Sequence, residues 1–126
     1  MSKILIIEDE ESFRAFLVAL LEDQGYDIHI AEDGEEGLER LSQEKFDLVI
    51  TDIIMPGKEG FEVCREMITN YPDTEVIAMS GGVHDYLKIV KALGVKHTFG
   101  KPFEIEKFLT VVHELTHKDG DSNSSN

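Results

Sequence analysis

Short apolar runs alternate along the chain with amphipathic stretches. The runs cover Ile4–Ile7, Ile28–Ala31 (interrupted by His29), Leu48–Ile50, Val76–Met79 and, more weakly, Val95–Phe99. Most are rich in Ile and Val and bounded by acids, Gly or Pro. Unbroken runs of this kind predict strands covered on both faces, and hence a parallel sheet. The intervening spacing is helical. Phe13, Phe16, Leu17, Leu20 and Leu21 recur at i, i+3, i+4, i+7 and i+8, with Gly25 as a stop signal. Asp33 is placed to cap a helix carrying Leu38 and Leu41. Phe61, Cys64, Met67 and Ile68 form a stripe that ends before Pro72. Tyr86, Leu87, Val90 and Leu93 form the next, halted at Gly94, and Ile105, Phe108, Leu109, Val112 and Leu115 the last. Five strands alternating with five helices predict a doubly wound α/β fold. Phe13, Phe16, Cys64 and Phe108 are read as core.

Composition narrows the function. A chain of 126 residues suits one domain. A net charge of −14 argues against nucleic acid and against anionic lipid, since both need clustered Lys and Arg. No apolar run approaches the ~20 residues of a membrane span. The opening apolar run is too short for a secretory signal and runs straight into acids. The single cysteine, Cys64, excludes an internal disulfide and a cysteine-based metal cluster. A cytoplasmic protein is expected. The charge is unevenly spread: residues 1–83 carry all −14, residues 84–118 carry +2, and residues 119–126 carry −2. Residues 118–126 contain no apolar side chain and are expected to form a disordered polar tail after a domain of residues 1–117.

Parallel strands aim their carboxyl ends at one edge of the sheet, where ligands bind in such folds. Glu8, Asp9 and Glu10 follow the first run, Asp52 the third, Ser80 the fourth, and Lys101-Pro102 the fifth. Clustered carboxylates repel unless a cation offsets them. Hard oxygen ligands favour Mg²⁺, which pairs with phosphate oxygens. A lysine and a hydroxyl nearby suit a phosphoryl group, and a carboxylate is itself a nucleophile able to form an aspartyl phosphate. The same residues fit a solvated acidic loop equally well, and composition and spacing do not separate the two.

Motifs go further. Glu8-Asp9, Thr-Asp-Ile-Ile-Met-Pro-Gly-Lys-Glu-Gly at 51–60, Met-Ser-Gly at 79–81 and Lys-Pro-Phe at 101–103 together resemble the CheY-like receiver domain of two-component response regulators, of the stand-alone type. The match runs from about residue 3 to 117. It implies the flavodoxin-like (βα)5 sheet with strand order 2-1-3-4-5. It implies Asp52 as phosphoacceptor and Mg²⁺ as cofactor, held by Asp9 directly, by Glu8 partly through water, by Asp52, and by the backbone carbonyl of Ile54. Ser80 would hydrogen-bond the phosphoryl group and Lys101 would pair with one of its oxygens. Pro56, Gly57 and Gly60 would shape the loop after Asp52, and Lys101-Pro102 resembles the family's cis peptide. The implied donor is a phosphohistidine on a sensor histidine kinase or histidine phosphotransfer protein. The implied output is altered partner binding or relay of the phosphoryl group, with no separate substrate turned over and no DNA-binding module in this chain. Two positions depart from the pattern. Thr98 stands where the family often has an aromatic switch residue, with Phe99 following. Ile54 and Gly82, two places beyond Asp52 and Ser80, offer no polar side chain to guide water.

An acidic flavodoxin-like electron carrier shares size and fold, but Glu-Asp-Glu-Glu at 8–11 would repel a flavin phosphate. An Asp-nucleophile phosphatase lacks its D-x-D-x-T motif. His113-Glu114-Leu115-Thr116-His117 matches the zinc-peptidase pattern H-E-x-x-H, yet only Asp119 and Asp121 follow as a third ligand, so it is read as a solvated helix end. His29 and His97 are read as ordinary positions. Lys88, Lys91, Lys96 and Lys107 in the +2 segment, residues 84–118, either face a downstream protein target or are simply solvated.

Overall fold

A computed structural model describes residues 1–53, 60–81 and 84–117. Ile54, Pro56, Gly57, Gly82 and the tail at 118–126, on which several of the expectations above fall, lie outside the described residues. In chain order the elements are β1 (Lys3–Ile7), α1 (Glu11–Glu22), β2 (Asp27–Ala31), α2 (Gly34–Gln43), β3 (Leu48–Asp52), α3 (Gly60–Asn70), β4 (Glu75–Ser80), α4 (His84–Leu93), β5 (His97–Gly100) and α5 (Ile105–Thr116). The strands pair in parallel in the order β2-β1-β3-β4-β5. The flavodoxin-like prediction therefore holds.

Apolar runs formed the central strands because alternate residues serve opposite faces. Ile4 and Ile6 of β1, Leu48 and Ile50 of β3, and Ile77 and Met79 of β4 pack against Leu17 and Leu21 of α1 and Phe108, Val112 and Leu115 of α5. Leu5, Ile7 and Val49 face the other way, onto Leu41 of α2 and Val63 and Met67 of α3. Ile53, Cys64, Ala78, Val90 and Val95 continue that second layer beneath α4. Fully burying each such side chain contributes roughly 1.5–3 kcal/mol.

The sheet edges correct the two-faced expectation. In β2 only Ala31 is buried, and β5 is at most half-buried. An edge strand has a neighbour on one side only, so the apolar run there overstates its burial. β5 also starts at His97; Val95 instead closes the α4 terminus, its amide donating to the Val90 carbonyl at 3.1 Å beside Gly94 with φ +116°. The helical stripes are wider than the surface they cover. Phe16, read as core, is 40% exposed, and Ile68, Leu93 and Ile105 are exposed too. Phe13 is half-buried, whereas Phe108 and Cys64 are buried as expected. The Asp33 cap forms, with its carboxylate accepting from the Glu36 amide at 2.8 Å.

Register then places the chemistry. β1 and β3 align Ile6 with Ile50 and Ile7 with Thr51, so the next step sets Glu8 beside Asp52. β4 aligns Met79 with Asp52, and β5 aligns Gly100 with Ser80. The Lys101 amide donates to the Ser80 carbonyl at 2.8 Å, which ties the fifth strand's exit to the fourth's.

Candidate phosphoryl-transfer site

Four elements deliver the site. Glu8 leaves β1, Asp52 ends β3, Ser80 ends β4, and Lys101 directly follows β5 and precedes a cis peptide to Pro102. Lys101 Nζ donates to Asp52 Oδ2 at 2.8 Å and to Glu8 Oε1 at 3.0 Å. Both carboxylates are buried, Glu8 at 2% exposure and Asp52 at 7%. The other Glu8 oxygen accepts from the Glu10 amide at 3.1 Å. Arg14 Nη1 donates to the Glu8 backbone carbonyl at 3.0 Å, which fixes the turn out of β1. Asp9 is exposed. Gly81 lets the lysine stem pass close: a Cβ there would lie 3.3 Å from Lys101 Cδ.

Electrostatics follow from burial. Burial raises the Glu8 pKa to about 7; the Glu10 amide opposes this, the Asp52 charge adds to it, and Lys101 pulls against it. Burial also works against the Lys101 ammonium, but its hydrogen bonds to Asp52 and then Glu8 outweigh that and raise its pKa. With all groups ionised, three carboxylates and one ammonium leave two negative charges at one rim.

Glu8, Asp9 and Asp52 each offer an oxygen within 4.8 Å of the other two, the only such group of three among the described residues. Two oxygens on one Mg²⁺ lie about 3–4 Å apart, so small rotations suffice to close this set on the ion. The donors are all carboxylate oxygens, which suits a hard cation. Ser80 Oγ is buried with no hydrogen-bond partner among the described residues. Such a hydroxyl is costly unless a ligand completes it. The residues present therefore fit both a divalent ion and an oxyanion.

The other sequence readings separate from this rim. His113 lies on α5 and His117 caps its end, with rings stacked at 4.0 Å, and no third ligand joins them among the described residues. His29 sits on β2, its Nδ1 2.9 Å from Arg40 Nη2 and its Nε2 3.3 Å from Asp27 Oδ2. His97 opens β5, half-buried. Thr98, half-buried, pairs in register with Ala78. Lys88, Lys91, Lys96 and Lys107 are exposed, and Lys107 reaches Glu104 at 3.5 Å. The sequence reading missed Arg14, a lone base after a run of acids, and the contact of Phe13 with Lys101, whose Nζ lies 3.9 Å from the ring centroid.

Fold and rim together define a receiver: a doubly wound sheet with an acid pair, an aspartate, a hydroxyl and a lysine at its carboxyl edge. The chain belongs to the response regulator receiver domain family, whose model matches residues 4–113. It is 32% identical over 124 residues to the response regulator ArlR of Staphylococcus saprophyticus, covering 98% of this chain and 56% of that protein. ArlR of Staphylococcus aureus is 31% identical over 116 residues, covering 91% of this chain and 52% of that protein. The chain thus spans about half the length of these relatives. Among solved structures, the response regulator TrrA of Thermotoga maritima in complex with Mg²⁺-BeF superposes with a TM-score of 0.84 at 32% identity, covering 91% of this chain and 99% of that one. A CheY-like receiver domain protein of Methanospirillum hungatei gives a TM-score of 0.88 at 24% identity, covering 97% and 98%, which speaks for the fold. These relationships place the chain in two-component signalling and set the flavodoxin-type electron carrier aside. No helix among the described residues is long and apolar enough to cross a membrane.

Proposed function

We propose that this receiver accepts a phosphoryl group on Asp52 from a phosphohistidine of a sensor histidine kinase or histidine phosphotransfer protein. The observation that carries this reading is Lys101 Nζ held between Asp52 Oδ2 and Glu8 Oε1, together with the buried Ser80 hydroxyl at the end of β4, which has no hydrogen-bond partner among the described residues. An Asp52 carboxylate oxygen attacks phosphorus; the O–P bond forms as the P–N bond breaks, and the imidazole departs with the bonding pair and takes up a proton. Lys101 shifts its hydrogen bond from Asp52 Oδ2 to an oxygen of the transferred group. The Ser80 hydroxyl donates to a second oxygen and draws its loop inward. Mg²⁺, when bound, supplies positive charge to the transferring oxygens and a template for them. Asp9 and Asp52 would hold it directly, Glu8 partly through water, and the Ile54 carbonyl, outside the described residues, would complete the protein's share. The phosphoryl charge then biases a two-state loop and strand element. Thr98 has no ring to rotate, so the usual rotation of an aromatic switch residue is not available at that position.

The protein turns over no separate substrate, works in the cytoplasm, and meets its downstream protein target through residues 84–118 or passes the phosphoryl group on. The net charge of −14 speaks against nucleic acid as the partner. Intact mass after incubation with acetyl phosphate and Mg²⁺ tests the acceptor. Wild type is expected to gain one phosphoryl group and Asp52→Asn none; equal labelling of both would refute Asp52.

A further inference from the structure

We propose that Phe13 is a positioning residue for Lys101, holding its ammonium against the carboxylate pair with the face of the aromatic ring. The proposal rests on the reading of Lys101 as the phosphoryl group's partner.

An ammonium has three N–H groups. In Lys101 two reach Asp52 and Glu8. On a further side Nζ stands 3.9 Å from the centroid of the Phe13 ring. That is well inside the ~6 Å range of cation–aromatic attraction, which strengthens as water is removed. The Lys101 side chain is only 17% exposed. A purely aliphatic wall in this place would also strip water from the ammonium, but would return nothing for the lost hydration. The ring face returns part of it, so the charge stays largely shielded from water and aimed at the acceptor oxygens.

The ring is itself held. Phe13 meets Phe103 edge-on at 6.2 Å and 89°, and Phe16 at 5.8 Å. Phe103 packs on Phe108 at 4.8 Å and Phe99 at 6.0 Å, and Phe108 is fully buried in the α1/α5 core. Phe103 follows Lys101-Pro102 directly. The segment that presents the ammonium therefore also braces the ring it rests on. When Lys101 exchanges Asp52 Oδ2 for a phosphoryl oxygen, the platform limits Nζ to an arc across the site and keeps water from competing for its remaining N–H.

Replacing Phe13 by phenylalanines bearing one, two and three ring fluorines tests this, because fluorination drains the ring face while nearly preserving size and apolarity. The rate of Asp52 phosphorylation by acetyl phosphate at saturating Mg²⁺ should fall stepwise, by about fivefold across the series, with the melting temperature unchanged. Phe13→Tyr, which keeps the face, should stay near wild type. In a Lys101→Ala background the fluorine series should be flat. A rate indifferent to fluorine number while Asp52 still labels would overturn the proposal and leave the acceptor reading standing. A decline that persists without Lys101, or that merely tracks a falling melting temperature, would also overturn it. Labelling that survives Asp52→Asn would instead remove the acceptor reading.

Discussion

Lys101 Nζ lies 2.8 Å from Asp52 Oδ2, a partner 49 residues earlier in the chain. On the proposed reading of Asp52 as acceptor, the ammonium already stands beside the carboxylate where an incoming phosphoryl oxygen would need positive charge. It also compensates Glu8, so one cation serves two buried anions.

Removing that cation leaves both anions exposed to each other. Lys101→Ala is expected to lose roughly 3 kcal/mol of stability in EDTA, the low end for a broken buried ion pair because Lys101 keeps some contact with water. Mg²⁺ should restore most of it and bind more tightly than to wild type, since it no longer competes with the ammonium. Urea unfolding with and without Mg²⁺ measures both effects, and equal destabilisation in the two buffers would count against a shared site.

Glu8 makes the metal-free protein's stability depend on pH. Burial raises its pKa from the ordinary 4.5 to about 7 in the folded state. Between those values the folded state holds more protons than the unfolded one, so stability falls as pH rises. The contribution is full below about 4.5 and gone once pH passes through about 7. Glu8→Gln should flatten this decline relative to wild type in unfolding curves taken between pH 4.5 and 8. Mg²⁺ requires the carboxylate form, so its affinity for wild type should climb across the same window.

Gly37 lets α2 settle onto β1. A Cβ there would overlap Ile7 Cδ1 and lie 2.8 Å from Ile7 Cγ1, in a side chain that is fully buried. Gly37→Ala should cost about 1–3 kcal/mol by overpacking. Adding Ile7→Val removes Cδ1, so the double variant should be more stable than the sum of the two single losses implies. Denaturant midpoints of the four proteins decide it. Gly25→Ala offers a contrast: nothing lies within 4 Å, and its cost arises from φ +91° alone.

Cys64 should be chemically silent in the native state. It is fully buried, and burial pushes its thiol pKa up to about 12. Thiolate is the reactive form. Reaction with a disulfide reagent such as DTNB at pH 8 should be undetectable in native buffer over minutes and give one thiol per chain in denaturant. Fast native labelling would mean that α3 opens readily.

Receiver membership was legible because its motifs are local: each sits at the end of an apolar run, and the runs are where parallel strands must be. The edges were less legible. Ile30, on β2, and Ile105 carry the same hydrophobicity as core positions, yet both are exposed, because hydrophobicity does not say whether a neighbour will arrive. The sequence also left the acidic cluster open to a bland reading as a solvated loop. Nothing local distinguishes that from a site, since Glu8 and Lys101 are 93 positions apart.

The order of strands and helices, the cap at Asp33 and the chemistry offered at each strand end were determined by the chain alone, because periodicity, capping and residue type act over a few neighbours. Which of those groups touch was decided only in three dimensions. Strand register set Glu8 beside Asp52, and the crossing from β5 brought Lys101 to both of them and over the ring of Phe13. Burial there shifts charges and strengthens contacts, and burial is a property of packed neighbours rather than of sequence.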